Sequence, residues 1–342
     1  MSLPLEQPYL PMEAETADSI PTGPEWQYEP KWDGFRCLAF RDGDHVDLQS
    51  KSGQPLARYF PELVEGLLSL KAKQFVLDGE IVIPEDGNIS FDELLLRIHP
   101  AESRIRKLSK EHPSMLIAFD LLVDAKGKSL AGKPLSERRA ALDEFAADYF
   151  NGNKLVALSP VTRDIEEARG WFRTMGGGLD GVVAKNSELP YESGKRAMLK
   201  IKNMRTADCV VGGFRYASKG KLVGSLLLGL YNEEGQLDHV GFSSSIKAAD
   251  KPAVTKKLEA LIEPPGFTGR APGGPSRWST ERSTQWEPLA AKLVCEVQYD
   301  HFSGGRFRHG TKLLRWRPDK APAQCTMRQV AKESKSPLLL LA

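Results

Sequence analysis

One lysine stands at the end of an apolar strand in Glu29-Pro30-Lys31-Trp32-Asp33-Gly34-Phe35-Arg36, with a carboxylate, a glycine and an arginine close behind it. That grouping suits a covalent nucleophile for a nucleotide phosphate. A lysine attacks only as the neutral amine, and with a pKa near 10.4 about one free lysine in a thousand is neutral at pH 7.4, a handicap of about 4 kcal/mol. Neighbouring cations disfavour the protonated form. Lys200 and Lys202 supply them on one strand, where alternate residues share a face and both can line a pocket. Taken alone, Lys-x-Asp-Gly reads as an ordinary β-turn.

Four more strings follow in order: Val76-Leu77-Asp78-Gly79-Glu80, Phe119-Asp120-Leu121-Leu122, Asp180-Gly181-Val182-Val183-Ala184-Lys185 and Leu199-Lys200-Ile201-Lys202. With the Lys31 segment they resemble motifs I, III, IIIa, IV and V of the covalent nucleotidyltransferases. The run from Phe307-Arg308-His309 to Arg317-Pro318-Asp319-Lys320 resembles the motif VI of ATP-dependent DNA ligases. Within that family the chain is most similar to the small stand-alone bacterial C-type ligases associated with repair, from about Pro24 to about Lys320.

The resemblance implies that AMP moves from ATP to Lys31, then to a DNA 5′-phosphate, before a 3′-hydroxyl attacks. It further implies that Phe119 stacks on adenine, the backbone at Glu29 reads the adenine amino edge and Arg36 contacts the ribose. Lys200 and Lys202 hold the α-phosphate and Lys185 stands at the phosphates. Glu80 reaches the ribose and, with Asp180, is a candidate to bind Mg2+ or Mn2+; the family usually has glutamate where this chain has Asp180. Lys51, in Ser50-Lys51-Ser52-Gly53, stands where the family commonly has an arginine on the 5′-phosphate of the nick; lysine makes a point contact where arginine makes a fork. Arg317, Asp319 and Lys320 orient the pyrophosphate when the second domain closes, with Lys202 to Arg205 as the hinge. The implied partner is nicked double-stranded DNA, with repair proteins besides. RNA ligases and mRNA-capping guanylyltransferases share five of these motifs. A rival of another class is a non-catalytic, basic OB-fold binding protein.

The elements that must position these residues follow from pattern. The 342 residues, 41% of them hydrophobic, suit two ordinary domains and exclude a disordered chain. Residues 1–203 alternate apolar runs, such as Phe75 to Ile83 and Met115 to Val123, with helical patterns at Pro61 to Leu70, Phe91 to Ile98, Glu137 to Phe150 and Ile165 to Met175. Turns such as Arg41-Asp42-Gly43-Asp44 argue for antiparallel pairing, hence an α+β domain of antiparallel sheets with helices. No G-x-G-x-x-G opens a helix, so a Rossmann domain is excluded; Gly176-Gly177-Gly178 ends a helix instead. Residues 204–342 give five strands and one helix near Lys251 to Ile262, the pattern of an OB-fold β-barrel.

Charge divides the same way. Up to Asn203 there are 26 basic and 32 acidic residues, and after it 21 and 13, so the second half is the phosphate-gripping candidate. Trp278, Trp286 and Trp316 lie there among arginines, suiting either base stacking or core packing. The four cysteines form no C-x-x-C pair and the six histidines no metal spacing, which fits a reducing cytosol and structural histidines. No apolar stretch approaches the roughly 18 residues of a membrane span, and Leu338-Leu339-Leu340-Leu341 reads as a docked or free end.

Overall fold

The computed structural model describes residues 3–175, 179–273, 285–331 and 335–341. The chain forms two compact units, 1–203 with 333–342, and 204–332. The expected second domain thus loses its last ten residues to the first unit. Leu338, Leu340 and Leu341 pack there beside Tyr28, Trp32 and Trp171, so the apolar tail is docked.

Among the described residues the first unit has two large sheets and a small hairpin, Pro84–Glu85 with Asn88–Ile89. One has five strands in the order His45–Ser50, Phe35–Asp42, Gln74–Val82, Met115–Val123 and Val156–Leu158. Its strands Gln74–Val82 and Met115–Val123 are buried almost throughout because both faces are covered. Helices Pro61–Leu68 and Leu135–Tyr149 contribute Leu63, Leu67, Leu142 and Phe145 to the core on one side. The second sheet runs Glu13–Thr16, Arg196–Lys202, Gly181–Asn186 and Trp26–Lys31. Met12, Leu38, Phe40, Leu122 and Met198 fill the space between the sheets. Pairing is not wholly antiparallel: Glu13–Thr16 runs parallel to Arg196–Lys202, and Met115–Val123 parallel to Val156–Leu158.

In the second unit the strands Leu237–Ser243, Val223–Tyr231, Arg205–Tyr216, Val294–Tyr299 and Lys312–Trp316 are neighbours in that order. The two ends meet, since Thr311 N–H donates to Phe242 O at 3.0 Å and Ser243 Oγ to Thr311 O at 2.9 Å. The ring of five strands, with helix Lys251–Glu259 inserted, is consistent with the expected OB-fold. Trp286 packs against Phe267, a core role, and Lys257 Nζ lies 4.6 Å from the centre of the Trp316 ring. Gly176 to Gly178, Arg277, Trp278 and Arg282 lie outside the described residues.

Candidate active site

Eight of the residues singled out from sequence, Glu29, Lys31, Arg36, Lys51, Glu80, Phe119, Lys185 and Lys200, line one cavity of about 180 Å³ in the first unit. They come from both sheets. Lys31 ends Trp26–Lys31, Arg36 follows in Phe35–Asp42, and the two-strand register sets Arg36 opposite Glu80. The turn between them needs Gly34, because a Cβ there would overlap the carbonyl oxygen of Ile81.

Lys31 departs from expectation. Its amine is ion-paired with Asp180, from the segment that leads into the neighbouring strand. Burial disfavours the ammonium, but the Asp180 carboxylate, with Glu80 and Asp33 behind it, outweighs burial and raises the pKa above its ordinary value. The depression expected for Lys31 falls on Lys200, lowered by burial and then by Lys31, Lys51 and Lys202. Glu80 is pushed up to about 7 by burial, against the opposing pull of Arg36 and Lys31.

The far end of the cavity is also charged. Lys185 lies opposite Gln27 in the strand pairing while Gly181 lies opposite Lys31, so four residues, or about 13 Å of strand, separate the two levels. Lys185 Nζ is held by Glu29 at 2.7 Å, both side chains nearly inaccessible, and sits 4.6 Å from the centre of the Phe119 ring. That contact sets the Lys185 amine beside the Phe119 ring. Arg36 Cζ is 4.5 Å from the same ring centre. Lys51 pairs with Glu13 at 2.8 Å at the cavity wall. Lys202 is two residues beyond Lys200 on one strand and does not line the cavity.

The second unit holds Arg317 and Lys320 on one carboxylate that was not singled out from sequence. Asp208 accepts from Arg317 at 2.8 Å and from Lys320 at 2.6 Å. Asp319 also pairs with Arg317, which pulls the Asp319 carboxyl down to about 2. The signal for Asp208 was present: a lone acid inside the apolar strand Arg205–Tyr216. Asp78 was equally legible, a fully buried acid in a central strand gripped by Arg36 at 2.5 and 2.6 Å.

A cavity lined by lysines, an aromatic ring and a carboxylate, in a unit followed along the chain by a ring of strands, is the arrangement expected of a nucleotidyltransferase. Residues 11–202 match the family described as ATP dependent DNA ligase domain, and residues 219–320 the ATP dependent DNA ligase C terminal region. DNA ligase C2 of Mycolicibacterium smegmatis and DNA ligase C of Mycobacterium tuberculosis are each 42% identical to this chain, over 96% of it and 96% of their own length. A solved Lig E DNA ligase, at 16% identity, superposes with a TM-score of 0.53 over 90% of this chain and 100% of that one, a likeness of fold alone. The chain belongs to the ATP-dependent DNA ligase family. Among the described residues no helix is long and apolar enough to cross a membrane, and all four cysteines are buried and free.

Proposed function

We propose that this chain seals nicks in duplex DNA, joining a 3′-hydroxyl to a 5′-phosphate through AMP carried on Lys31, and that it serves repair in the cytoplasm. One observation carries the reading: Lys31, Glu80, Phe119 and Lys200, spread over 170 positions of sequence, line a single cavity. Phe119 offers a face for adenine, Arg36 a hand for the ribose, and Lys200 a cation for the α-phosphate.

The nucleophile is unmasked in place. In the resting site Asp180 keeps Lys31 protonated, so attack requires that carboxylate to be drawn off. Glu80 and Asp180 flank the Lys31 ammonium, and their oxygens suit a hard divalent ion, magnesium or manganese. Such an ion supplies charge neutralisation at the phosphates. Lys200, already biased toward the neutral state, gains from an approaching phosphate, whose charge favours its protonation. As negative charge builds on the leaving pyrophosphate, Lys200 and Lys202 oppose it, and Arg317 and Lys320 add theirs from the second unit.

The basic second unit grips the duplex phosphates, with Lys51 at the 5′-phosphate of the nick. The test incubates the protein with magnesium, a singly nicked duplex, and labelled ATP or GTP. A labelled protein and a sealed strand with ATP, both lost in Lys31→Ala, are the expected result. Labelling by GTP alone, or sealing by Lys31→Ala at the parental rate, overturns the proposal.

A further inference from the structure

Behind the cavity wall lies a closed ring of polar contacts among Arg36, Asp78, Tyr191 and Met12, of which only Arg36 and Met12 line the cavity. Arg36 grips Asp78 with two nitrogens, Nε on Oδ1 at 2.5 Å and a terminal nitrogen on Oδ2 at 2.6 Å. The Tyr191 hydroxyl donates to the same Oδ2 at 2.6 Å and accepts the Met12 backbone N–H at 2.9 Å. Arg36 closes the ring by donating to Met12 O at 3.3 Å. Arg36 and Met12 line the cavity, whereas Tyr191 stands behind them at 6% exposure.

Each contact in the ring restrains a degree of freedom that Arg36 alone leaves open. A carboxylate has about four acceptor sites, and the two donors from Arg36 fix it in one plane only while Arg36 itself stays put. Tyr191 ties Asp78 from the far side, so the carboxylate is set by the protein interior and not by the arginine it serves. Tyr191 is fixed in turn: its N–H donates to Ala131 O at 2.8 Å, and its ring stacks on Tyr9 and carries Arg138 at 5.6 Å. The same hydroxyl seats Met12, so one oxygen sets two walls of the pocket.

We infer that Tyr191 is a positioning residue for nucleotide recognition, holding Arg36 through Asp78 and the Pro11 to Glu13 wall through Met12, and that it thereby sets the discrimination for a ribose. The inference rests on the proposed use of ATP and on Arg36 as the group that meets the sugar. Packing alone would need only the ring; the hydroxyl is what Asp78 and Met12 use.

Tyr191→Phe removes that hydroxyl and keeps the ring. Self-adenylylation is measured with ATP, 2′-deoxy-ATP and 3′-deoxy-ATP over a range of concentrations. The expected result is a KM for ATP raised roughly threefold to tenfold, the size of one ordinary hydrogen bond, with little change in the maximal rate. The penalty for removing one of the sugar hydroxyls shrinks by a similar factor. In an Arg36→Lys background the same change adds little, because the two side chains act as one unit. An unchanged sugar penalty in Tyr191→Phe, or additive losses in the double variant, overturns the inference. So does a parent protein that labels with ATP yet pays no penalty for either analogue, an outcome that leaves the ligase reading standing. A parent that ATP does not label at all fails the ligase reading itself.

Discussion

Lys31 and Asp180 face each other as an ion pair at the junction of two strands, with Gly181 opposite Lys31 in the pairing register. The carboxylate reaches the amine because Asp180 N–H donates to Lys31 O at 3.1 Å, which fixes the two backbones side by side. Two opposed demands meet there. A protonated, paired lysine is tolerated in a buried site, whereas the reaction proposed for it needs the free amine. On the proposed reaction the pair is a guard that ligand binding has to open.

Asp180→Asn removes the guard. The Lys31 amine, left with burial and with Lys200 nearby, then titrates at lower pH than in the parent, because the largest favourable charge on its ammonium is gone. Competitive acylation of Lys31 across a pH series reads this directly. A titration unmoved, or moved upward, in Asp180→Asn would show that Asp180 does not govern the amine.

Glu80 gives the site a pH dependence of definite sign. Its carboxyl stands at about 7 in the folded protein against 4.5 for the ordinary group, through burial. The folded state thus favours the protonated acid, so this contribution to stability is full below about pH 4.5 and is lost as pH rises through 7. Glu80→Gln has no such loss. Between pH 5 and 8 the variant should gain on the parent by up to about 3 kcal/mol in unfolding free energy. Denaturant unfolding of both proteins at several pH values, in the absence of nucleotide and metal, checks it. A gap that stays constant with pH means that Glu80 is not perturbed.

Much of this site is legible in the sequence because strands carry their own address. Lys200 and Lys202 alternate on one strand, and the apolar runs Phe75 to Ile83 and Met115 to Val123 are strands close to those limits. Helix Glu102–Glu111 left no trace, since it turns only Ile105 and Ser109 inward and presents charges elsewhere. Pairing partners such as Asp180 for Lys31 and Asp208 for Arg317 were also hidden. Which acid meets which cation is decided by register between distant strands, and no local pattern encodes it. The contact of Lys185 with Glu29 was hidden for the same reason.

The buried Glu29 and Lys185 pair makes a stability test. With both side chains at most 4% exposed, removing one partner strands a charge in the interior. Glu29→Gln or Lys185→Met alone should cost roughly 3–5 kcal/mol of unfolding free energy, and the double change Glu29→Gln with Lys185→Met distinctly less than the sum. Thermal and denaturant unfolding of the three variants supply the cycle. Additive losses would mean that the two charges do not depend on each other.

Asp208 offers a test that separates two chemical stages. It holds Arg317 and Lys320, and its own backbone is fixed, since Gln329 accepts from Asp208 N–H at 3.0 Å and donates to Asp208 O at 3.1 Å. If those two cations serve the pyrophosphate, only the transfer of AMP from ATP to Lys31 depends on their aim. Asp208→Asn keeps the shape and removes the charge that sets both. It should slow single-turnover labelling of the protein by ATP by roughly tenfold, on the scale of one charge-assisted contact. Sealing of a nick that already carries AMP on its 5′-phosphate, supplied without ATP, should proceed at close to the parental rate. Equal slowing of both reactions would assign Asp208 to the fold of the barrel and not to the handling of pyrophosphate.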